Sequence, residues 1–146
     1  MSYRALTVEA LLGMQPKRKA ETTPLALAYR VEEGFPVSAL DSFALVICPN
    51  DARRFAYRVV PKPTLERRRR NGKHLTTDES DRLARIAKVF AFGLEIFHDE
   101  KKVREFLDRP HPMLDGKPPL DVALATGPGA DVVVNLLGRA AYGGGV

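Results

Sequence analysis

Residues 61–73 read Pro-Lys-Pro-Thr-Leu-Glu-Arg-Arg-Arg-Arg-Asn-Gly-Lys. The stretch carries its own punctuation and predicts one short helix. Pro61 and Pro63 suit its start, because proline's fixed φ fits a first helical turn and its missing N–H is no loss there. Asn71 and Gly72 supply a left-handed stop. Between them stand one apolar anchor, Leu65, and four consecutive arginines, Arg67 to Arg70. A helix this short is marginal in water by itself, so the rest of the chain has to dock it. Its charge asks for a polyanion.

On the N-terminal side, Val37 to Ile47 repeats apolar residues at helical spacing through Leu40, Phe43 or Ala44, and Ile47. Cys48-Pro49-Asn50 breaks that helix. Asn50 or Asp51 then caps another, from Ala52 to about Val59, with Phe55, Ala56 and Val59 turned inward. Two helices, a short turn at Val60-Pro61 and a basic third helix make the outline of a helix-turn-helix. Further upstream, Thr23 and Pro24 open a helix as N-cap and first residue. It carries Leu27, Val31 and Ala28 on one face and stops at Gly34. Before it come a short apolar helix, about Leu6 to Leu12, and a loop with Pro16 and Lys17-Arg18-Lys19.

On the C-terminal side, Thr76 and Glu79 stand three apart as in a capping box, and Asp78 and Asp81 add negative charge to the first turn. The helix they open runs to about Phe97 with a stripe of Leu83, Ile86, Ala87, Phe90, Leu94 and Phe97. The spacing fits core and dimer seam alike. A short helix from Lys101 to Leu107 ends at Pro110-His111-Pro112, and Asp115-Gly116 makes a turn. Two small-residue helices follow, Leu120 to Ala125 and Ala130 to about Ala141, separated by Gly127-Pro128-Gly129. Nothing alternates with period two. The chain reads as all-α: an arm over 1–22, a helix-turn-helix DNA-binding region over 23–75, and a long helix with a small C-terminal domain over 76–146.

The 146 residues are 45% hydrophobic and 28% charged, an ordinary globular balance. No run approaches the roughly 18 apolar residues of a membrane span, and Met1-Ser2-Tyr3-Arg4 does not begin a signal peptide, so a cytoplasmic protein with no membrane partner is expected. Cys48 stands alone and reads as a buried, inert thiol. From Asp51 to Lys73 there are nine basic and two acidic residues, a net +7 in a chain of net +5. Charge concentrated in this way marks a phosphate-binding surface; the plain alternative is a solvated helix face.

Reactive constellations are not evident. His74, His98 and His111 lack the paired spacing of a zinc site. Gly127 and Gly129 lack the Lys-Ser or Lys-Thr of a phosphate loop, and no strand precedes them. No enzyme, metal or cofactor is expected. A helix in the major groove presents its N-terminal residues to base edges, which nominates Lys62, Thr64, Arg67 and Arg68. An arginine forked onto guanine is worth about 1–3 kcal/mol of discrimination. Arg70, Lys73, Arg53 and Arg54 are assigned to phosphates, which position without specifying. Leu65 should face the core, with the stem of Arg69 packed along the same side.

Four stretches, taken in order, resemble the Xre-like antitoxins of bacterial RES–Xre toxin–antitoxin systems. They are Gly34-Phe35-Pro36-Val37-Ser38-Ala39-Leu40, Pro63-Thr64-Leu65-Glu66-Arg67-Arg68-Arg69 and Leu75-Thr76-Thr77-Asp78-Glu79-Ser80-Asp81-Arg82-Leu83. The last is Pro110 through Leu120-Asp121 with Leu136-Leu137-Gly138-Arg139. The resemblance spans about residues 25–146 and implies two jobs. The helix-turn-helix would bind the operator DNA of its own operon, normally as a homodimer. The C-terminal domain would bind and occlude a RES-domain toxin that depletes NAD, forming a toxin–antitoxin hetero-oligomer. On that reading Leu136, Leu137, Arg139 and Ala140 dock on the toxin. Tyr142, Gly143, Gly144, Gly145 and Val146 reach into its cleft, unless the tail is simply disordered. A helix-turn-helix transcriptional regulator with a dimerisation lobe and no toxin partner is the other reading. The chain departs from the family at the motif's turn, where Arg58-Val59-Val60 and Pro61 replace a glycine-containing sequence.

Overall fold

The computed structural model describes residues 8–14 and 23–142. The basic triplet at 17–19 and the tail at 143–146 lie outside the described residues. Within them the chain forms nine α-helices: α1 (Val8–Leu11), α2 (Pro24–Glu33), α3 (Val37–Ile47), α4 (Ala52–Val59), α5 (Lys62–Asn71), α6 (Thr77–Phe97), α7 (Glu100–Asp108), α8 (Pro119–Ala125) and α9 (Gly127–Ala141). A 3-10 turn spans Pro112–Leu114. No strand occurs among the described residues, and the extended pairing there is one isolated bridge between His111 and Lys117. The fold is all-α. Two compact units divide it, one extending to Ala84 and the other starting at Arg85. The division falls inside α6, so the first two turns of that helix belong with α1–α5.

In the first unit the helix ends follow local chemistry. Thr23 Oγ1 accepts the Ala26 N–H at 3.1 Å and caps α2. Asp51 stands at the N-cap of α4 without a side-chain bond. The interior is built on α3, which packs against α1, α4 and α5 and buries Ala39, Leu40, Phe43, Ala44 and Ile47. Phe43 meets Phe55 of α4 edge-to-face, with ring centroids 5.8 Å apart, an arrangement the ring quadrupoles favour. Two expectations change in detail. Leu27 is the buried residue of α2, while Val31 is half-buried and Ala28 exposed. Cys48 is half-buried, because it lies at the open C-terminal end of α3.

Long-range hydrogen bonds stitch the α2–α3 connection to the start of α6. Phe35 donates its N–H to Ser80 Oγ at 2.8 Å and accepts the Leu75 N–H at 2.9 Å. Thr77 Oγ1 donates to the Glu32 carbonyl at 2.9 Å. His74 Nδ1 lies 3.0 Å from the Gly34 carbonyl oxygen. Gly34 has φ +91, and a Cβ there would stand 2.2 Å from the Leu75 carbonyl oxygen. The close approach and the left-handed backbone both require glycine.

The apolar stripe of α6 is core. Leu83, Ile86, Ala87, Phe90 and Leu94 are completely buried within a single chain, and Phe97 is half-buried. In the second unit α7 packs on α8 and α8 on α9. The Gly127-Pro128-Gly129 sequence does not separate two elements as expected; it forms the first turn of α9. Thr126 Oγ1 accepts the Gly129 N–H at 2.9 Å, and proline is at home in a first turn. A Cβ on Gly129 would come within 2.2 Å of the Val122 carbonyl oxygen, so glycine there lets α8 and α9 touch. Val133, Leu136 and Leu137 then seal the contact side of α9.

Candidate nucleic-acid interface

Val60 (φ −134, ψ 125) and Pro61 (φ −54, ψ 144) alone connect α4 to α5. Both are extended, as a residue before proline and a proline prefer. No positive φ is needed, so the missing glycine of the turn leaves no strain. The last carbonyl of α4, on Val59, accepts a hydrogen bond from Arg82 at 2.9 Å, which neutralises the negative helix end.

Leu65 is the one buried residue of α5. Its burial contributes about 1.5–3 kcal/mol, too little to orient a ten-residue helix, and two ion pairs complete the docking. Arg69 forks onto Asp41 of α3 with both bonds at 2.6 Å. The two side chains are 43% and 42% exposed, so the pair contributes about 0.2–1 kcal/mol. The Asp41 hydrogen bonds hold the Arg69 guanidinium above its ordinary value. On the opposite flank Arg68 donates to Glu79, and both side chains are largely buried. Glu79 also completes the capping box expected from the sequence. Its Oε1 accepts the Thr76 N–H at 2.8 Å, and its own N–H donates to Thr76 Oγ1 at 3.2 Å. Gly72, at φ +63, closes α5.

With Leu65 inward and Arg68 and Arg69 tied to the flanks, helical geometry leaves Arg67 and Arg70 on the outward row. Both are exposed, as are Lys73, Arg53 and Arg54. None of these five makes an ion pair with a described residue. Lys62 sits over the Tyr57 ring at 6.0 Å. With Arg53 it lines an open cleft of about 520 Å³ that also contains Asp41, Tyr57, Glu66 and Arg69. Thr64 is half-buried. Arg68, nominated for base contact, is instead committed to Glu79. The sequence held no local sign of this, since the partners lie 11 and 28 residues away.

In the second unit Leu136 and Leu137 are 4% and 0% exposed, so their side chains, expected at the toxin contact, pack inward and hold α9 in place. Arg139 is exposed and Ala140 half-buried. Tyr142 is 93% exposed. Gly143, Gly144, Gly145 and Val146 lie outside the described residues. Two further exposed apolar residues were not singled out from the sequence, Met113 and Val132. Met113 Sδ lies 3.6 Å from an Arg139 nitrogen. Val132 and Arg139 stand two turns apart on one face of α9, and Tyr142 is the C-cap that ends it. His111 has a local structural role, its Nδ1 accepting the Met113 N–H at 3.1 Å. No group of three metal-binding side chains occurs among the described residues, and no helix there is long and apolar enough to cross a membrane.

These two surfaces coincide with two known domains. Residues 26–88 match the antitoxin Xre-like helix-turn-helix domain, and residues 93–143 match the antitoxin Xre/MbcA/ParS C-terminal toxin-binding domain. The chain is 31% identical over 114 residues to a protein named Antitoxin Xre from Yersinia enterocolitica, covering 77% of this chain and 76% of that one. It is 33% identical over 88 residues to an Antitoxin Xre from Pseudomonas putida, covering 60% of this chain and 55% of that one. An arginine-bearing helix-turn-helix joined to a toxin-binding helical domain, with this degree of identity, places the chain in the family of Xre antitoxins.

Proposed function

We propose that this antitoxin neutralises a RES-domain, NAD-depleting toxin in the cytoplasm by direct binding and occlusion of its active site, and that as a homodimer it represses its own operon by binding operator DNA. It acts by binding and carries out no reaction of its own. The DNA half of the reading is supported by the outward row of α5. Arg67 and Arg70 face solvent with no described ion-pair partner, and Arg53, Arg54 and Lys73 are exposed nearby in the sequence. A helix so equipped offers forked donors to a groove and cations to the flanking phosphates. The toxin half is supported by exposed Val132 and Tyr142 and by Arg139 beside Met113; tyrosine, arginine and methionine are residue types enriched at protein interfaces.

One observation carries the whole: a single chain joins an open arginine row on a helix-turn-helix to a unit that matches a toxin-binding domain. Co-expression with the neighbouring gene tests it. A stoichiometric complex that restores cellular NAD and retards the upstream duplex is the expected result. A chain that retards the duplex yet purifies without a partner is a regulator only. Deleting residues 143–146 addresses the tail; unchanged neutralisation would exclude its insertion into the toxin cleft.

A further inference from the structure

Glu79 performs two tasks with one oxygen, and only one of them needs its charge. Oε1 accepts the backbone N–H of Thr76 and also the guanidinium of Arg68. A capping box works with glutamine as well as with glutamate, so the cap needs an acceptor and not a carboxylate. The negative charge at residue 79 is therefore surplus to capping. It is spent on Arg68.

An arginine free to swing on a recognition helix reaches the nearest phosphate. Each phosphate neutralised strengthens binding to any sequence and steepens the dependence on salt. An arginine held by a carboxylate contributes neither, and the carboxylate repels an approaching phosphate. We propose that Glu79 is a positioning residue for DNA specificity: by holding Arg68 against α6 it confines the arginine helix to its outward row, Arg67 and Arg70, and suppresses sequence-independent binding. Asp41 acts on Arg69 in the same sense but more weakly, because that pair is about two-fifths exposed and water and salt screen it. The inference rests on the DNA-binding reading above.

The test is Glu79→Gln in the full chain, which keeps the shape and the cap and removes the charge. Binding is measured by fluorescence anisotropy against salt concentration, for the duplex upstream of the protein's own gene and for a scrambled duplex of equal length. The slope of log K against log salt should become steeper by about 0.9, one released counterion per arginine freed. Affinity for the scrambled duplex should rise more than affinity for the upstream duplex. Adding Arg68→Gln should return the slope to the wild-type value, a reversal that loss of a purely structural contact does not produce. Asp41→Asn, at the more exposed pair, should show a smaller steepening and covers the case in which Glu79→Gln does not fold. Wild-type slopes in every folded variant overturn the inference and leave the DNA-binding reading intact. A wild-type protein that binds neither duplex overturns that reading instead.

Discussion

The backbone N–H of Phe35 donates to the hydroxyl of Ser80 across 2.8 Å, and both residues are almost fully sealed from solvent. The bond spans 45 residues and ties the α2–α3 connection to the first turns of α6. Replacing Ser80 by alanine leaves a buried N–H without an acceptor, which costs about 1–3 kcal/mol. Thermal denaturation of Ser80→Ala should therefore show a clearly lowered midpoint. A melt superimposable on the wild type would mean that the Phe35 N–H finds another acceptor.

Gly34→Ala should be more damaging than an ordinary glycine replacement. The residue sits at φ +91, and the new methyl would overlap the Leu75 carbonyl oxygen, which is backbone and cannot rotate away. Strain of this kind costs at least about 2 kcal/mol. Chemical denaturation and soluble yield measure it, and a stability equal to wild type contradicts the close approach.

Arg67→Ala and Arg70→Ala should weaken DNA binding while leaving stability unchanged, because neither side chain is paired with a described residue. The expected loss at a base-contacting arginine is about 1–3 kcal/mol. Arg68→Ala should do the opposite, lowering stability through the loss of the Glu79 pair. Parallel electrophoretic shifts and unfolding curves separate the two classes; an unfolded Arg67→Ala protein would argue against the outward row.

On the C-terminal unit the contrast lies between Leu137 and Tyr142. Leu137 is completely buried, and Leu137→Ala should cost about 2–5 kcal/mol of stability. Tyr142 is 93% exposed, so Tyr142→Ala should leave the melting curve alone and weaken toxin capture by about 2 kcal/mol, as interface anchors do. Equal toxin affinity for this variant and the wild type, by calorimetry, would remove the aromatic end of α9 from the interface.

Much of the fold was legible because its signals are local. Thr23, Gly34, Gly72 and the Thr76–Glu79 box mark helix ends through bonds made within a few residues, and the structure contains each of them. The stripe from Leu83 to Leu94 announced a buried face by its period, though not whether a second chain would cover it. Gly127-Pro128-Gly129 misled because glycine and proline usually interrupt a helix. Here Thr126 caps the turn, and Gly129 is needed for contact with the Val122 carbonyl rather than for flexibility.

The candidate surfaces divide along the same line. Four adjacent arginines, and the excess of positive charge around them, are properties of the chain alone, and so are the order of the helices and the family likeness. Which arginines face outward is not, because it depends on carboxylates that the fold delivers from α3 and α6. The same holds for α9, where Leu136 and Leu137 were expected as contacts and packing turned both inward. Sequence determines what a short segment does with its neighbours, since caps, turns and periodicity are settled over one or two turns of chain. The tertiary structure decides which of several similar side chains is used up internally and which remains for a partner. That choice is an energy balance between residues the sequence keeps far apart.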